Sequence, residues 1–376
     1  MKRIKLKGKS IGIVFGTFAP MHIGHVDLIT RAKRENDGVI VIVSGTNTER
    51  DRGTQIGLHL NRRWRYVREV FKDDELTVVA KLDEADMPAY PDGWNPWIQE
   101  VYKIVEENTE DVDLRDIHFY VGETEYKDEI QSRWENKRNT ETNQVEPVKV
   151  TVVERSVIPI SATKIRENPY DYWSYITKPF RRHFTKKVLI IGSASGGKTT
   201  LVKDLARAYN APKSLEYARE YQDIYNVRDE ELDAHDYIRL LDGQYAQTAA
   251  EIDSGSHTGL VFADTNSSVT KAYYDYYLSQ DEDDRANDMI EHLYQAIVQR
   301  EQWDLVILVK PTTKYVDDGF RDMTMSDQQI RDDFTEHLLE LITPFNDVLH
   351  IVDGTFYENY ETIKTLVNGL GVVRYG

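Results

Sequence analysis

The sequence predicts an α/β protein of two domains, each built on a parallel β-sheet, with the first domain over residues 1–180 and the second over residues 181–376. Two observations support this prediction. Short apolar runs rich in β-branched residues, typical of buried parallel strands, occur in two separate series along the chain. The first strand of each series also leads directly into a glycine-rich segment of the kind that approaches phosphate closely.

The first series begins at residues 11–15, an apolar run that ends at a glycine. A second strand is predicted over residues 39–43, and residues 25–34 between the two have helical spacing. A strand, a helix and a strand at this distance form a βαβ unit, which requires a parallel sheet. Further strands of this domain are predicted over residues 117–121 and 148–153.

The second series begins at residues 187–191, which are followed by a predicted helix over residues 199–209. The boundary between the domains is expected within residues 168–186, a stretch that contains two prolines and a basic cluster. The remaining strands of this domain are predicted over residues 260–263, 305–309 and 348–352.

The composition excludes several classes of function. The chain has 376 residues, 40% of them hydrophobic, and no cysteine, which rules out disulfides, thiolate zinc sites and cysteine nucleophiles. Its net charge of −17 opposes contact with the phosphate backbone, so no nucleic acid is expected as a partner. We find no signal peptide and no long apolar run, and therefore expect a cytoplasmic protein without membrane insertion.

The first candidate site lies in residues 16–25, which read G-T-F-A-P-M-H-I-G-H. His22 and His25 are one helical turn apart at a helix N-terminus, where free N–H groups and the helix dipole favour anions. Their imidazoles are suited to stabilising charge that develops on the α-phosphate of a nucleoside triphosphate. The alternative, that both are capping or core residues, leaves the surrounding glycine and proline frame unexplained. The ATP-binding residues predicted in this turn are Gly16, Thr17 and Phe18.

A later segment, I-S-A-T-K-I-R at residues 160–166, supplies a helix cap followed by cations. Together, H-x-G-H and I-S-x-T-x-x-R resemble the nucleotidyltransferases that adenylylate nicotinamide mononucleotide. The resemblance implies that the two histidines contact the ATP phosphates. It also implies that three residues of the later segment hold the β- and γ-phosphates, namely Ser161, Thr163 and Arg166.

The substrate side of this domain is assigned to residues 90–97, a turn-rich segment that reads Y-P-D-G-W-N-P-W. Indole rings stack well on a flat cationic pyridinium ring, so Trp94 and Trp97 are candidate contacts, with Trp94 preferred by the resemblance. The alternative is that both tryptophans fill the core under a loop. Further positions that resemble the surroundings of the nucleotide pocket are Ser44, Gly45, Asp51, Arg52 and Arg63.

The second candidate site is the P-loop at residues 192–199, which fit G-x-x-x-x-G-K-[ST] between a strand and a helix. In such a loop the backbone N–H groups surround the phosphates, and Lys198 neutralises charge between the β- and γ-phosphates. Thr199 is the expected Mg²⁺ ligand. The predicted ATP-binding residues are Gly192, Ser193, Ala194, Ser195, Gly196, Gly197, Thr199 and Thr200.

A second Mg²⁺-binding residue is predicted at the end of the apolar strand V-F-A-D. Asp264 closes this strand, at the place where P-loop enzymes hold Mg²⁺ directly or through water. An aspartate that merely ends a strand is the alternative, and it is less favoured beside a P-loop. Mg²⁺ is thus the expected cofactor and ATP the co-substrate.

The acceptor side of the second site is assigned to residues 215–220, which read L-E-Y-A-R-E. Glu216 or Glu220 is suited to accept a proton from an attacking hydroxyl group, and Arg219 to bind phosphate or orient the glutamate. An exposed, salt-bridged turn is the alternative. The proton acceptor stays open between Glu216, Glu220 and Asp264.

A lid is predicted at residues 314–321, K-Y-V-D-D-G-F-R, which follow a strand and combine a glycine hinge with an arginine. Arg321 is the candidate lid arginine, placed to close over the γ-phosphate.

The P-loop, E-Y-x-R-E and V-D-D-G-x-R resemble, in this order, the ribosylnicotinamide kinase half of the bifunctional NadR-type proteins. The resemblance implies that the chain phosphorylates nicotinamide riboside to nicotinamide mononucleotide and then adenylylates this product to NAD. Some members begin with a helix-turn-helix domain that binds DNA. About ten residues precede the first strand here, so no repressor role is expected. A homo-oligomer and a contact with a riboside transporter are compatible with the resemblance.

Three other functions remain open. In the first, the adenylyltransferase domain mainly binds NAD or ATP as a regulatory sensor of the kinase. In the second, it adenylylates another phosphate, such as phosphopantetheine, although paired tryptophans favour a pyridinium ring. In the third, the P-loop belongs to an ATPase that drives an assembly, and ATP hydrolysis without riboside would reveal it.

Overall fold

The computed structural model describes residues 5–89, 91–110, 116–134, 147–153, 158–254, 258–278, 284–311 and 323–372. The chain divides into two compact units, Met1–His183 and Phe184–Gly376. Each unit is built on a five-stranded parallel sheet. The predicted fold class, α/β with two parallel-sheet domains, is therefore confirmed.

In the first unit the sheet has the strand order β4-β3-β2-β6-β7, with the earliest of its strands at the centre. This order places the change of winding direction beside β2, so the carboxyl ends of the strands open into a crevice there. A short parallel pair, β1 and β5, stands apart from this sheet. The strands are β1 (Leu6–Lys7), β2 (Ile11–Gly16), β3 (Gly38–Gly45), β4 (Thr77–Asp83), β5 (Thr109–Glu110), β6 (Ile117–Val121) and β7 (Lys149–Val152).

Helices cover both faces of this sheet, as right-handed crossovers between parallel strands require. The first crosses from β2 to β3, buries Ile29 and Ala32, and carries basic residues in its last turn, where the helix dipole favours them. The helices are α1 (Ile23–Arg34), α2 (Arg52–Gln55), α3 (Leu60–Val70), α4 (Trp94–Asn108), α5 (Thr124–Arg133), α6 (Ala162–Glu167) and α7 (Lys178–Phe184).

In the second unit the strand order is β12-β11-β8-β10-β9, again with the earliest strand at the centre. The three central strands are fully buried apart from the first two residues of β8, which explains their nearly unbroken apolar sequences. The strands are β8 (Lys186–Ile191), β9 (Lys213–Ser214), β10 (Leu260–Ala263), β11 (Leu305–Val309) and β12 (Leu349–Val352).

The helices of the second unit pack around this sheet, and one core cluster joins its strands to α10, α11, α12 and α13. Side chains cap the starts of α11, α13 and α14. Asn266 accepts the Val269 N–H group, and Thr355 forms a capping box with Glu358. The helices are α8 (Lys198–Ala208), α9 (Tyr217–Tyr225), α10 (Ala234–Ser254), α11 (Ser267–Tyr277), α12 (Asp284–Val298), α13 (Gln328–Leu341) and α14 (Phe356–Gly369).

Two features of the fold differ from the sequence-based prediction. Strands β1, β4, β5 and β9 were not predicted, because β4 is only half-buried and the other three have two residues each. The segment with the two tryptophans is not a turn throughout, since α4 begins at Trp94. Among the described residues, no helix is long and apolar enough to cross a membrane.

Candidate active sites

The first unit contains a cleft of about 1430 Å³ at the carboxyl edge of its sheet. Its walls come from the turn after β2, the N-terminal half of α1, the ends of β3 and β6, and the start of α4 and α6. Segments that are distant in the sequence thus meet at one edge, as expected for a sheet whose parallel strands all end there. The cleft is large enough to hold a dinucleotide.

The two predicted histidines lie side by side at the start of α1. Their rings stack with centroids 3.7 Å apart, and the ring of Phe18 packs edge-on against His25 at 5.1 Å. His22 is the N-cap residue and only 6% exposed. The backbone of His22 forms a β-bridge with Ile176. The hydroxyl and the backbone N–H group of Thr177 both donate to the carbonyl oxygen of Met21, the residue before His22. Both imidazoles therefore occupy fixed positions at the anion-binding end of the helix.

The later segment faces the same turn, as predicted. Ser161 caps α6 by accepting the Lys164 N–H group. Arg166 donates to the Ala19 carbonyl oxygen at 2.7 Å and to the Thr163 hydroxyl at 2.9 Å. The predicted phosphate contacts of the first unit that line the cleft are Gly16, Thr17, Phe18, His22, His25, Ser161, Thr163 and Arg166.

A further cation, Arg52, also lines this part of the cleft. Burial lowers the pKa of Arg166, and the neighbouring positive charge of Arg52 lowers it further. Two guanidinium groups that repel each other are stabilised by an anion that binds between them. This arrangement is suited to binding a triphosphate.

The two tryptophans pack in the core and also line the cleft. Trp94 and Trp97 are 8% and 6% exposed and belong to the core cluster under the sheet, yet both line the cleft. Trp97 packs 4.7 Å from Phe15 and Trp94 packs 5.6 Å from Tyr126, measured between ring centroids. Their rings form a rigid aromatic wall at one end of the cleft, which is suited to stacking on a flat ring.

Below the cleft lies a buried ion pair that the sequence did not reveal. Arg63, for which a position around the nucleotide pocket was expected, is fully buried. Its guanidinium group donates to both carboxylate oxygens of Asp51 at 2.8 Å. Burial opposes ionisation of Asp51, but the bonds from Arg63, Thr46 and Thr54 outweigh it, so the pKa of Asp51 lies below its usual value. A β-carbon at Gly45 would overlap this pair, which explains the glycine.

Replacing Arg63 by alanine is expected to lower the free energy of unfolding of the first unit by about 3–5 kcal/mol, because it leaves a buried carboxylate without its partner. Urea denaturation monitored by tryptophan fluorescence measures this loss. Arg62→Ala is the matched control, since Arg62 is exposed on the same helix. Equal stability of the two variants would contradict the assigned role of the buried pair.

The P-loop of the second unit has the conformation that phosphate binding requires. Gly192 and Gly197 have φ values of 146° and 77°, and Ser195 has a φ of 61°, so the loop turns its backbone inward. A β-carbon at Gly192 would lie 2.4 Å from the Val309 carbonyl oxygen. Lys198 donates to the Ser193 carbonyl oxygen at 2.8 Å, within the loop itself. The second unit has its own cleft at this loop. It is lined by Ala194, Ser195, Gly196, Gly197, Lys198, Thr199 and Thr200, whereas Gly192 and Ser193 are buried and do not line it.

Asp264 lies at the end of β10 and is 1% exposed. Burial raises its pKa to about 7, partly offset by the positive charge of Lys198 and the Thr199 hydroxyl, while Glu216 adds to the rise. Neither carboxylate oxygen has a hydrogen-bond partner of normal geometry in the described part of the chain. A buried carboxylate of this kind, next to a threonine hydroxyl and a phosphate-binding loop, fits a hydrated Mg²⁺ ion.

Of the predicted acceptor residues, the structure brings two into this cleft. Glu216 is the N-cap of α9 and pairs with Arg219 at 3.5 Å, and both line the cleft. Glu220 is exposed and is not among the lining residues. The predicted lid, including Arg321, lies outside the described residues.

Three lining or neighbouring residues were missed because no sequence pattern marks them. Tyr273 of α11 completes the wall of the P-loop cleft. Phe356 stands on the other side of the loop, with its Cδ2 atom 3.5 Å from the place of a β-carbon on Gly197. In the first unit Glu84, just after β4, lines the same cleft as the tryptophans. Each is distant in sequence from the motif beside it, so only the fold brings it there.

Comparison with known proteins supports the division into two functional units. Residues 13–168 match the cytidylyltransferase-like family and residues 187–359 match the AAA domain family. The trifunctional NAD biosynthesis/regulator protein NadR of Escherichia coli (strain K12) is 30% identical over 90% of this chain and 77% of its own length. The protein of the same name from Salmonella typhimurium is 29% identical over 96% of this chain and 85% of its own length.

Two crystal structures have the same architecture throughout. A NadR protein in complex with NR is 38% identical, covers 99% of both chains and superposes with a TM-score of 0.85. A NadR protein in complex with NAD and AMP-PNP is also 38% identical over 99% of both chains, with a TM-score of 0.82. The order of the motifs, the two folds and these similarities over nearly the full length lead to one conclusion: the chain belongs to the NadR family.

Proposed function

We propose that this chain is a bifunctional enzyme of NAD salvage, with a ribosylnicotinamide kinase in its second unit and a nicotinamide-nucleotide adenylyltransferase in its first. One observation carries the proposal: a single chain of the NadR family holds two different phosphate sites, each with its own set of cations. The product of the kinase is the substrate of the adenylyltransferase. The two sites therefore perform consecutive steps on one metabolite.

In the kinase step, the 5′-hydroxyl of nicotinamide riboside attacks the γ-phosphate of ATP. The P-loop N–H groups and Lys198 neutralise the charge on the transferred group. We assign Glu216 as the proton acceptor, because it lines the cleft and Arg219 orients it, whereas Glu220 lies outside. Thr199 and Asp264 are the residues that would hold Mg²⁺, which neutralises negative charge on the phosphates.

In the adenylyl transfer step, the phosphate of nicotinamide mononucleotide attacks the α-phosphate of a second ATP, and pyrophosphate leaves. His22 and His25 stand at the helix N-terminus to stabilise the charge that develops there, while Arg52 and Arg166 bind the leaving phosphates. The aromatic wall of Trp94 and Trp97 holds the nicotinamide ring. Neither step needs a covalent bond to the protein, because positioning and charge neutralisation are sufficient.

The proposal is tested by product chromatography of the wild-type protein with ATP, Mg²⁺ and nicotinamide riboside. Nicotinamide mononucleotide should appear first and NAD should follow. If the reaction stops at the mononucleotide, the first unit is a sensor of NAD or ATP and the adenylyltransferase assignment is wrong. If the riboside is unchanged, the kinase assignment fails. Because both steps consume ATP, we place the enzyme in the cytoplasm; homo-oligomer formation and contact with a riboside transporter stay predictions.

Replacing Asp264 by asparagine is expected to raise thermal stability at pH 8 while lowering riboside phosphorylation by about 10²-fold or more. The pKa of Asp264 is about 7 in the folded protein, which is above its value in the unfolded chain. As the pH rises from the unfolded to the folded pKa, the carboxyl group ionises more readily in the unfolded chain, and the folded protein therefore loses stability. The gain in melting temperature should therefore be larger at pH 8 than at pH 5. Melting curves and rates measured in parallel check this, and a fully active or less stable variant at pH 8 contradicts it.

A further inference from the structure

Glu84 lies on the same face of the first sheet as the aromatic wall. Side chains alternate along a strand, and Leu82 pairs with Ser44 across β4 and β3. Leu82 belongs to the core cluster that contains both tryptophans. Two residues further on, Glu84 extends the same face to the carboxyl edge, where it and Ser44 line the cleft.

Hydrogen bonds hold Glu84 at three points, two on its backbone and one on its carboxylate. Its backbone N–H group donates to the Gly45 carbonyl oxygen at 2.9 Å. Its own carbonyl oxygen accepts a hydrogen bond from Arg50 Nη2 at 2.9 Å, and the same guanidinium donates to the carbonyl oxygens of Ala85 and Met87, both at 3.2 Å. The side chain accepts a hydrogen bond from the Ser44 hydroxyl. The carboxylate therefore has a fixed direction.

The loop that follows connects Glu84 to the aromatic wall. Met87 and Pro88 line the cleft, and a β-carbon at Gly93 would lie only 2.5 Å from the Pro88 carbonyl oxygen. Trp94 follows Gly93 directly. The Pro88 carbonyl group is therefore packed against the start of α4, where the indole of Trp94 lines the cleft.

The charge of Glu84 is only weakly compensated. Arg63 is paired with Asp51, and Arg50 donates to three backbone carbonyl groups, so neither neutralises Glu84 directly. Burial raises the pKa of Glu84, and the carboxylate of Asp51 contributes to the rise. A recessed carboxylate beside a ring-binding wall favours a hydrogen-bond donor on that ring and disfavours a second anion.

We propose that Glu84 determines which pyridine mononucleotide the adenylyltransferase site accepts: it accepts a hydrogen bond from the carboxamide of nicotinamide mononucleotide and repels the carboxylate of nicotinate mononucleotide. This inference rests on the proposed adenylyltransferase function. The two nucleotides differ in one group on the pyridine ring. Nicotinamide mononucleotide carries a neutral carboxamide with an N–H donor, whereas nicotinate mononucleotide carries a negatively charged carboxylate. Like charges a few ångströms apart in a partly buried site oppose binding strongly.

Three other acids line the cleft but are weaker candidates: Asp27, Asp51 and Glu123. Asp51 is paired with Arg63, whereas Asp27 and Glu123 are exposed, so solvent screens their charges. Glu84 is half-buried and fixed by its neighbours. Asp83, which precedes it, is exposed and alternates to the other face of the sheet. The chain thus provides both a competing acid and a matched control.

The test compares kcat/KM for nicotinamide and nicotinate mononucleotides, with ATP saturating, in the wild type and in Glu84→Gln, Glu84→Asp and Asp83→Asn. Glutamine removes the charge and offers an N–H donor to the nicotinate carboxylate. The preference for the amide should therefore fall at least about tenfold in Glu84→Gln, mainly through better use of nicotinate mononucleotide. It should be largely retained in Glu84→Asp and unchanged in Asp83→Asn.

A preference ratio in Glu84→Gln within twofold of wild type overturns the inference, even if both activities fall, because a purely structural role lowers both together. A change of the ratio in Glu123→Gln with none in Glu84→Gln also overturns it. Wild-type protein that adenylylates neither nucleotide refutes the proposed adenylyltransferase function, and the inference with it. Wild-type activity on the amide with an unaltered ratio in Glu84→Gln refutes the inference alone.

Discussion

Replacement of Lys198 by alanine is expected to abolish NAD formation from nicotinamide riboside while leaving NAD formation from nicotinamide mononucleotide intact. The ammonium group is the cation of the P-loop, and its loss should lower the rate of phosphoryl transfer by about 10²–10³-fold or more. Adenylyl transfer is unaffected because its cleft is built on the other sheet, from residues of the first unit. Chromatography with each of the two starting compounds separates these effects.

Lys213→Ala is the control for this variant, because Lys213 is an exposed lysine of the same unit and does not line the P-loop cleft. It should phosphorylate riboside at the wild-type rate. Near-normal phosphorylation by Lys198→Ala would show that this P-loop does not bind the transferred phosphate. A parallel loss of both activities would instead show that the substitution unfolds the protein.

Replacement of His22 is expected to produce the complementary result: riboside is converted to nicotinamide mononucleotide, which accumulates because adenylyl transfer is lowered by about 10²–10³-fold. The reason is that His22 stands at the N-terminus of α1 beside His25, where charge develops on the α-phosphate. His22→Asn is the preferred variant. Asparagine caps a helix well, so this change removes the imidazole with little effect on the fold.

His59→Ala is the matched control for His22→Asn. His59 is also an N-cap residue of the first unit, but it is exposed and lies outside the cleft. Its loss should leave both products unchanged. If His22→Asn makes NAD as fast as wild type does, His22 has no part in adenylyl transfer, and His25, Arg52 and Arg166 supply the charge stabilisation.

The phosphate-binding parts of both sites could be predicted because their geometry is local. The P-loop at residues 192–199 and the turn at residues 16–25 each join a buried strand directly to a helix. Asp264 was predicted for the same reason, as the residue that ends an apolar strand. In each case the residues that share a role are close together in the sequence.

Roles that depend on contacts between distant segments were not predicted. The resemblance placed Arg63 around the pocket, and the structure shows it fully buried in an ion pair with Asp51, which lines the cleft. The tryptophans were placed on a turn, yet they start α4 and support the core as well as the cleft. Glu84 was not predicted as a site residue, because no sequence pattern marks a glutamate that follows a half-buried strand.

By itself, the sequence determined the two-domain α/β class, and it located the two strand-to-helix turns whose histidine and lysine side chains line the clefts. These depend on short-range backbone conformation and on the hydrophobic periodicity of single elements. The tertiary structure alone decided which acids face each cleft: Glu216 rather than Glu220 beside the P-loop, and Glu84 beside the aromatic wall. Strand order, register and helix packing bring such residues together, and these arise from long-range contacts that no local pattern records.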